Sequence, residues 1–370
     1  MRIIVLGHKH IFSEEGGIEV VVTELAKRLS ENNEVIVLDR KDNKTKYPYD
    51  VGNIHVVGIP TFKNTKLNAF VYSFLATLYC LFHKADVVHV HAEGLCGFLP
   101  LLKFFRPHLP VVVTIHGLDW QRAKWGGFAT KYLKFGEKQA AKHADAIIVL
   151  NHQTEEYFLE NYGRVAAFIP NGVEAHITEQ TDLIEPYGLS TGSYILYIGR
   201  LATEKRVELL IRAFRHSVTS RKLVIAGPIK DHPEIVAEAK YNPDIIFINN
   251  AYGDLKAQLL SNAALFVLPS DIEGMSVALL EALSYGIPTL VSDIDANTSV
   301  VHRNEFLHTF KVGDEDDLMN KISLMTTVPF YRDSNQIDWI TQTYSWEECA
   351  RRTETVLKEA NRACRGGRNE

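Results

Sequence analysis

Short apolar runs, rich in β-branched residues and almost unbroken in apolarity, recur along the chain with amphipathic stretches between them. A first series covers residues 2–7, 34–39, 86–91, 111–116, 146–150 and 166–170. A second covers residues 194–199, 222–227, 245–250, 265–270 and 288–293. Runs of this kind, bounded by Gly, Pro, Asn or Asp, are how strands buried on both faces of a parallel sheet read. Between them the apolar positions change to helical spacing. Ile18, Val21, Val22, Leu25, Ala26 and Leu29 follow i, i+3, i+4, i+7, i+8, i+11, and Val207, Leu210, Ile211 and Phe214 do the same in the second half. Repeated strand–helix units imply right-handed crossovers and doubly wound parallel sheets.

Two such series in 370 residues predict two Rossmann-like α/β domains. The pattern lapses between Pro170-Asn171-Gly172 and Gly192, which puts the expected domains at 1–173 and 174–344. Residues 345–363 read as one more helix, with Trp346, Ala350, Thr353, Val356 and Leu357 on its buried face and Ser345 with Glu348 as a capping box. In open α/β sheets ligands bind beyond the carboxyl ends of strands, so two such domains facing each other predict a cleft lined by post-strand residues.

Composition narrows the function classes. A net charge of −5 argues against nucleic acid as a partner. The charge is uneven: residues 1–175 carry 20 Lys+Arg against 18 Asp+Glu, the remainder 20 against 27, so the first half better suits an anionic surface. Cys80, Cys96, Cys349 and Cys364 stand at no metal-ligand spacing and suit a reducing compartment. The N-terminal apolar run is too short for a signal peptide, and no stretch reaches ~18 apolar residues. The nearest, residues 67–82, reads either as a buried helix or as one lying in a membrane interface.

Several post-strand segments carry chemistry. Gly16-Gly17 opens the first helix, where backbone N–H groups can approach a phosphate; the other reading is a flexible loop ending in a helix start. It is not G-x-G-x-x-G, so the dinucleotide fingerprint is absent. Arg200 follows the first strand of the second series, with Lys205 entering the next helix. Cations there oppose the helix dipole, by ~0.3–1 kcal/mol each. A bound diphosphate would reverse that sign, with Arg as a fork and Lys as a point charge; alternatively both pair with Glu204 or Glu208. Glu273 ends a strand–loop, Gly274 frees the backbone, and the N–H groups of Met275 and Ser276 come at a helix start. Glu281 lies eight residues after Glu273, a spacing that lets two carboxylates hold hydroxyls along one extended ligand, unless both are solvated helix glutamates. His116 ends a strand and reads either as a partner of a reacting sugar or as a satisfied core histidine. His89 and His91 read as packing or acceptor-side residues, and Asp119, Trp120 and Trp125 as a polar–aromatic loop for a carbohydrate or lipid-linked acceptor, or as aromatic core anchors. Asp293-Ile294-Asp295 has the form of a metal-binding triplet but lacks a third ligand, so no metal is assigned.

The segments GGIEVVVTELAKRL, VVTIHGLDWQRAKWGG, IPNGV, YIGRLATEKRVELLIRAF and the Glu273-x7-Glu281 pattern, in this order, resemble the retaining glycosyltransferases of family 4, of GT-B architecture. The loop HGLDWQRAKWGG is similar to that of bacterial members that build surface polysaccharides. The resemblance covers nearly the whole chain. It implies a nucleoside-diphosphate sugar donor, a glycan or lipid-linked acceptor, no metal or other cofactor, and a cytoplasmic enzyme, with peripheral contact on the inner membrane face left open. It also implies roles. Gly16 and Gly17 would meet the donor diphosphate, and Arg200 and Lys205 would neutralise it as it leaves. Glu281 would hold the ribose, and Glu273 with Gly274, Met275 and Ser276 would position the sugar. His116 would contact the sugar near the reacting centre, and residues 250–253 would flank the base. The final helix would return to the first domain. Gly-Met-Ser after Glu273 replaces the family's usual Gly-Phe-Gly or Gly-Phe-Pro, which leaves the donor sugar open. Two further readings of the same architecture are a nucleotide-sugar epimerase and a non-catalytic nucleotide-sugar-binding subunit.

Overall fold

The computed structural model describes residues 1–41, 45–62, 65–121, 127–239, 241–301 and 306–366. They form two compact units, Met1–Asn171 together with the chain from Trp346, and Gly172–Ser345. Trp125, and the side chain of Asp119, lie outside the described residues.

In the first unit the chain runs through β1 (Arg2–Leu6), α1 (Gly17–Leu29), β2 (Glu34–Arg40), β3 (Tyr49–Val51), β4 (Ile54–Ile59), α2 (Thr65–Phe82), β5 (Val87–Val90), α3 (Leu99–Phe105), β6 (Val111–Ile115), α4 (Gly127–His143), β7 (Ala146–Val149), α5 (His152–Tyr162) and β8 (Ala167–Phe168). Among the described residues these strands make one sheet in the order β3-β4-β2-β1-β5-β6-β7-β8. All pairs are parallel except β3 with β4. The β3–β4 hairpin, turning at Gly52-Asn53, is a departure from the sequence reading. Its strands are short, and β3 is largely exposed, so they lack the unbroken apolar run that marks a doubly covered strand. Valine and isoleucine fill the central strands because both sheet faces are covered: Ile3, Val35, Val37, Val87, Val111, Val112 and Val113 are wholly buried.

In the second unit come β9 (Tyr194–Ile198), α6 (Val207–His216), β10 (Lys222–Gly227), α7 (Pro233–Ala239), β11 (Ile245–Asn249), α8 (Gly253–Asn262), β12 (Leu265–Leu268), α9 (Val277–Ser284), β13 (Thr289–Ser292), α10 (Asp295–Thr298), β14 (His308–Phe310), α11 (Glu315–Met325) and α12 (Ser334–Thr343). The sheet is parallel throughout, in the order β11-β10-β9-β12-β13-β14. β14, three residues long, escaped the sequence reading because it offers one buried side chain, Phe310.

The last helix, α13 (Trp346–Gly366), belongs with the first unit. It buries Trp346, Cys349, Ala350, Thr353 and Leu357, while Val356 is half-buried. Polar ties fix its register. Glu347 takes Arg28 of α1 at 2.8 Å, Glu354 accepts from the Asn33 amide at 2.8 Å, and Arg352 donates to the Phe168 carbonyl at 2.5 Å.

The segment at 67–82 is a helix that buries one face only. Tyr72, Ala76 and Cys80 are inside, whereas Phe70, Phe74 and Phe82 are exposed. That corrects the reading of a buried helix. Among the described residues no helix is long and apolar enough to cross a membrane.

Candidate functional site

Both sheets reverse strand order once. In the second unit β9, β10 and β11 run outward in one direction and β12 starts the other, so the switch lies between β9 and β12. In the first it lies between β1 and β5. The connections that leave the carboxyl ends of strands beside such a switch separate and leave a crevice where ligands bind. The described site residues named from the sequence follow β1, β5 and β6 in the first unit and β9, β12 and β13 in the second, while residues 250–253 follow β11 at the edge of the sheet.

At the β9/β12 switch the loops are held by charge. The Lys205 ammonium pairs with Glu273 Oε1, which also accepts from Ser270 Oγ at 2.7 Å. Both partners are nearly buried, with side chains 13 % and 8 % exposed. Arg206 Nε donates to Asp271 at 2.5 Å, and the Asp271 N–H donates to the Glu204 carbonyl at 2.9 Å. Lys205 therefore pairs with Glu273, not with Glu204 or Glu208. One of its three N–H donors is used; the others remain to meet a second anion.

Arg200 stands differently. Its guanidinium makes no hydrogen bond among the described residues, and its nearest charge is Glu204 at 3.9 Å. The Glu204 carboxylate is buried, and neither oxygen has a hydrogen-bond partner among the described residues. Arg200 thus pairs in charge with Glu204, as one of the two sequence readings had it, while its N–H donors make no hydrogen bond among the described residues and its side chain is 39 % exposed. The backbone reaches this position through a close approach: a Cβ at Gly227, ending β10, would sit 2.2 Å from the Gly199 carbonyl oxygen. Only glycine fits there.

Gly274, Met275 and Ser276 are buried. Gly274 is not among the positive-φ glycines, so the expectation that it frees the backbone is not what its conformation requires. Ser276 has a task the sequence reading missed: it is the N-cap of α9, its Oγ accepting the Leu279 N–H at 3.3 Å. Glu281 lies on α9 and pairs with Lys256 at 2.8 Å, neither side chain more than 20 % exposed. Neither Glu273 nor Glu281 is a solvated helix glutamate. Lys256, near the start of α8, was missed; Lys205, expected in the first turn of the next helix, lies instead in a short 3₁₀ turn that precedes it, since Arg206 is the N-cap of α6, and Arg200 lies further upstream. Asn250 adopts a left-handed conformation (φ 54°) and donates its N–H to the Gly227 carbonyl at 3.0 Å.

Asp293 and Asp295 are not a matched pair of ligands. Asp293 accepts the Val312 N–H at 2.8 Å, and Asp295 opens α10. Among the described residues no group of three His, Cys, Asp or Glu side chains is placed to hold a metal ion.

In the first unit Gly16 is the extended N-cap of α1 and Gly17 its first residue. Glu19, in that first turn, folds back so that its Oε1 accepts the Lys9 N–H at 3.1 Å, and a Cβ at Gly16 would meet its Oε2 at 2.3 Å. His116 follows β6, half-buried, with Nε2 at 3.0 Å from His91 Nδ1. His91 Nε2 lies 3.2 Å from His89 Nδ1, and His89 Nε2 lies 2.8 Å from Thr114 Oγ1. His89 and His91 are thus linked to His116 rather than simply packed. The signal was the alternation itself: His-x-His on one strand and Thr-x-His on the next place all four side chains on one face. Beside them His8 Nε2 donates to Asp39 Oδ1 at 2.9 Å, and Asp39 also accepts the Ile11 N–H and the Tyr47 hydroxyl. Trp120 Nε1 donates to the buried Glu137 at 2.7 Å, which anchors the start of the polar–aromatic loop on α4.

Known proteins bear on these observations. Residues 15–176 match the family model described as Glycosyltransferase Family 4, and residues 180–335 match Glycosyl transferases group 1. The chain is 29% identical over 277 residues, 68% of this chain and 70% of the relative, to the Escherichia coli UDP-Gal:alpha-D-GlcNAc-diphosphoundecaprenol alpha-1,3-galactosyltransferase. It is 24% identical over 321 residues, 81% of each chain, to the Bacillus anthracis N-acetyl-alpha-D-glucosaminyl L-malate synthase. In fold it is similar to sucrose-phosphate synthase from Thermosynechococcus elongatus, with TM-score 0.84 at 18% identity over 98% of this chain and 99% of the other. It is likewise similar to Anabaena HepE in complex with UDP-glucose, with TM-score 0.77 at 15% identity over 97% and 100%.

Proposed function

We propose, for a chain that belongs to the family 4 glycosyltransferases of GT-B fold, that it moves a hexosyl group from a nucleoside-diphosphate sugar to a hydroxyl of a glycan or lipid-linked acceptor, keeping the anomeric configuration and using no metal. The observation that carries this reading is the Arg200 guanidinium, free of hydrogen bonds among the described residues, on the same post-β9 connection as Lys205 at the β9/β12 switch. As the bond from the anomeric carbon to the diphosphate oxygen breaks, its electron pair leaves on the diphosphate and negative charge grows there. Arg200 forks onto that charge, and Lys205 meets it with the N–H groups Glu273 does not use. Lys205, nearly buried and held by Glu273, is a donor fixed in advance where charge develops in the transition state, and Arg200, 39 % exposed, closes onto the same charge.

The remaining roles follow the chemistry of each group. Glu273, held by Lys205 and Ser270, accepts from a sugar hydroxyl, with the backbone of Gly274, Met275 and Ser276 beside it. Glu281, held on one oxygen by Lys256, accepts from the ribose hydroxyls. Gly16 and Gly17 offer backbone N–H groups to the diphosphate, and His116 bonds a hydroxyl of the transferred sugar. HepE was solved with UDP and UDP-glucose, and the E. coli relative is named for UDP-Gal, which supports a UDP-sugar as the first donor to try. The names of the relatives also support a place in polysaccharide or glycoconjugate synthesis.

The test is turnover of UDP-sugars with a lipid-diphosphate-linked acceptor, with and without EDTA, and NMR of the product. The expected product keeps the donor's anomeric configuration and forms in EDTA. An inverted product, or turnover abolished by EDTA, contradicts the reading. A product formed from donor alone would favour the epimerase.

A second surface bears on where the reaction takes place. Phe82 at the end of α2 and Phe104 and Phe105 at the end of α3 are exposed, and Lys84, Arg106 and His108 follow the same ends. Exposed aromatic side chains close to Lys84 and Arg106 suit contact with an anionic bilayer surface. Cosedimentation with anionic vesicles at low salt, lost in a Phe104→Ser/Phe105→Ser variant, is the expected result. No cosedimentation of the unaltered protein excludes it.

A further inference from the structure

Glu137 sits on α4, wholly buried. Its carboxylate gathers three neutral donors. Trp120 Nε1 donates to Oε2 at 2.7 Å, and the Tyr157 and Tyr162 hydroxyls of α5 donate to Oε1 at 2.8 and 2.5 Å. Burial, with the hydrogen bond to Glu137 next, pushes the Tyr157 hydroxyl up to about 12 and raises Tyr162 as well, so both phenols keep the protons they donate. A buried carboxylate is a costly way to fill space, since apolar side chains of similar volume often do it as well. What it adds is acceptor capacity at one point for donors from several elements.

The three donors are not equivalent. Tyr157 and Tyr162 also pack against the apolar cluster of the first unit; among the described residues Trp120 does not. Trp120 is half-buried on the connection that leaves β6, shortly after His116. It is held instead by polar groups of α4. Glu137 takes its N–H edge, and the exposed Lys134, one turn earlier on the helix, places its ammonium 4.0 Å from the centroid of the ring. The helix is itself fixed in depth. A Cβ at Gly136 would lie 2.2 Å from the Glu93 carbonyl oxygen, so α4 rests directly on the turn that follows β5.

An aromatic ring tied at one edge and on one face, outside the apolar core and at the ligand edge of the sheet, suits a binding platform better than a core anchor. We propose that Trp120 is the aromatic contact for the sugar ring of the acceptor, whose flat C–H face lies on the indole face opposite Lys134, and that Glu137 and Lys134 are the positioning residues that hold the indole for it. The proposal rests on the reading of the chain as a glycosyltransferase.

The experiment follows the Trp120 indole N–H in ¹H–¹⁵N spectra of the whole protein, assigned with Trp120→Phe. The probes are the phenyl glycosides of glucose, galactose and N-acetylglucosamine. At least one is expected to move the Trp120 signal saturably while those of Trp339 and Trp346 stay in place. Glu137→Gln is expected to weaken that binding about fivefold, the worth of one ordinary hydrogen bond. Lys134→Ala, on an exposed side chain, is expected to weaken it about threefold. Acceptor KM should rise by the same factors, with donor KM within about twofold. Urea melts identify the folded variants. A Trp120 signal that none of the glycosides moves, or unchanged glycoside affinity in either variant when folded, overturns the proposal. The transferase reading is judged apart from it, by turnover: glycosides that move Trp120 without turnover of any acceptor keep the contact and remove the transferase, and turnover with an unmoved Trp120 does the reverse.

Discussion

The two switch points have the same topology and opposite electrostatics. At β9/β12 cations and carboxylates are paired across loops: Lys205 with Glu273, Arg206 with Asp271, and Arg200 facing Glu204 at 3.9 Å. Beside β1/β5 the polar centre is a line of imidazoles, two of them wholly buried and neutral. The difference teaches a division of labour. On the proposed reading the second unit meets a full negative charge, and the neutral imidazoles of the first offer hydrogen bonds, with the buried Asp39 carboxylate beside them taken up by His8. A diphosphate leaving group and an uncharged sugar make these two demands.

The largest expected effect breaks the charged side. Lys205→Met should lower kcat on the order of 10²–10³, the usual loss when one preorganised donor to a transition-state charge is removed. It should also lower stability by ~1–3 kcal/mol, because Glu273 is left nearly buried beside only Ser270. Adding Glu273→Gln should restore the unfolding midpoint but not turnover. Steady-state kinetics with urea melts of both variants checks this; recovery of turnover in the double variant would mean that the pair is structural.

The next prediction concerns the neutral side and pH. His89 titrates at about 3 in the folded chain and His91 well below its ordinary 6.5. The unfolded chain binds protons at these sites below pH 6.5 and the folded chain does not. Their contribution is therefore complete above pH 6.5 and is lost as pH falls toward 3. At pH 5 that amounts to about 2 kcal/mol for His89, with a loss of the same sign for His91. The groups facing them are His116, His8 and, through His8, Asp39. Urea midpoints at pH 7.5 and 5.0 should differ more for the unaltered protein than for His89→Gln/His91→Gln. Equal differences would remove the neutral-imidazole side of the comparison.

A smaller effect sharpens the charged side. Lys256→Met releases one oxygen of Glu281 without removing the carboxylate. Donor KM should rise several-fold with kcat nearly unchanged, the expected result for a group that only orients a binding residue. A fall in kcat equal to that of Lys205→Met would move Lys256 into the charged centre.

How much of this could be read from the sequence depended on the range of the interaction. The central strands were legible because burial on both faces writes an unbroken β-branched run, as in VVVTI and YILYI. β3, β4 and β14 were not, since short or half-exposed strands leave no such run. Arg200, Lys205, Glu273 and Glu281 stood out through local oddities, cations read as entering a helix and carboxylates spaced around Gly274. Their partners did not. Lys205 and Glu273 are 68 residues apart, and only the adjacency of β9 and β12 brings them together. The histidine chain needed the β5–β6 register, which sets His89 opposite Val112 and so brings His91 to the level of Thr114 and His116. The strand sequences carried the alternation but not the pairing.

The most direct measurement is calorimetric titration of UDP, GDP, ADP and dTDP, and of the corresponding nucleosides, into the unaltered protein and Arg200→Ala. Arg200 makes no side-chain hydrogen bond among the described residues but is the charge nearest the buried Glu204, so a urea melt of the variant accompanies the titration to separate lost binding from lost fold. The expected result is one preferred diphosphate whose affinity falls by tenfold or more in the variant, about 1.4 kcal/mol, while the matching nucleoside binds both proteins equally. Equal diphosphate affinity in the two proteins would contradict the assignment of the β9/β12 switch as the seat of the leaving group.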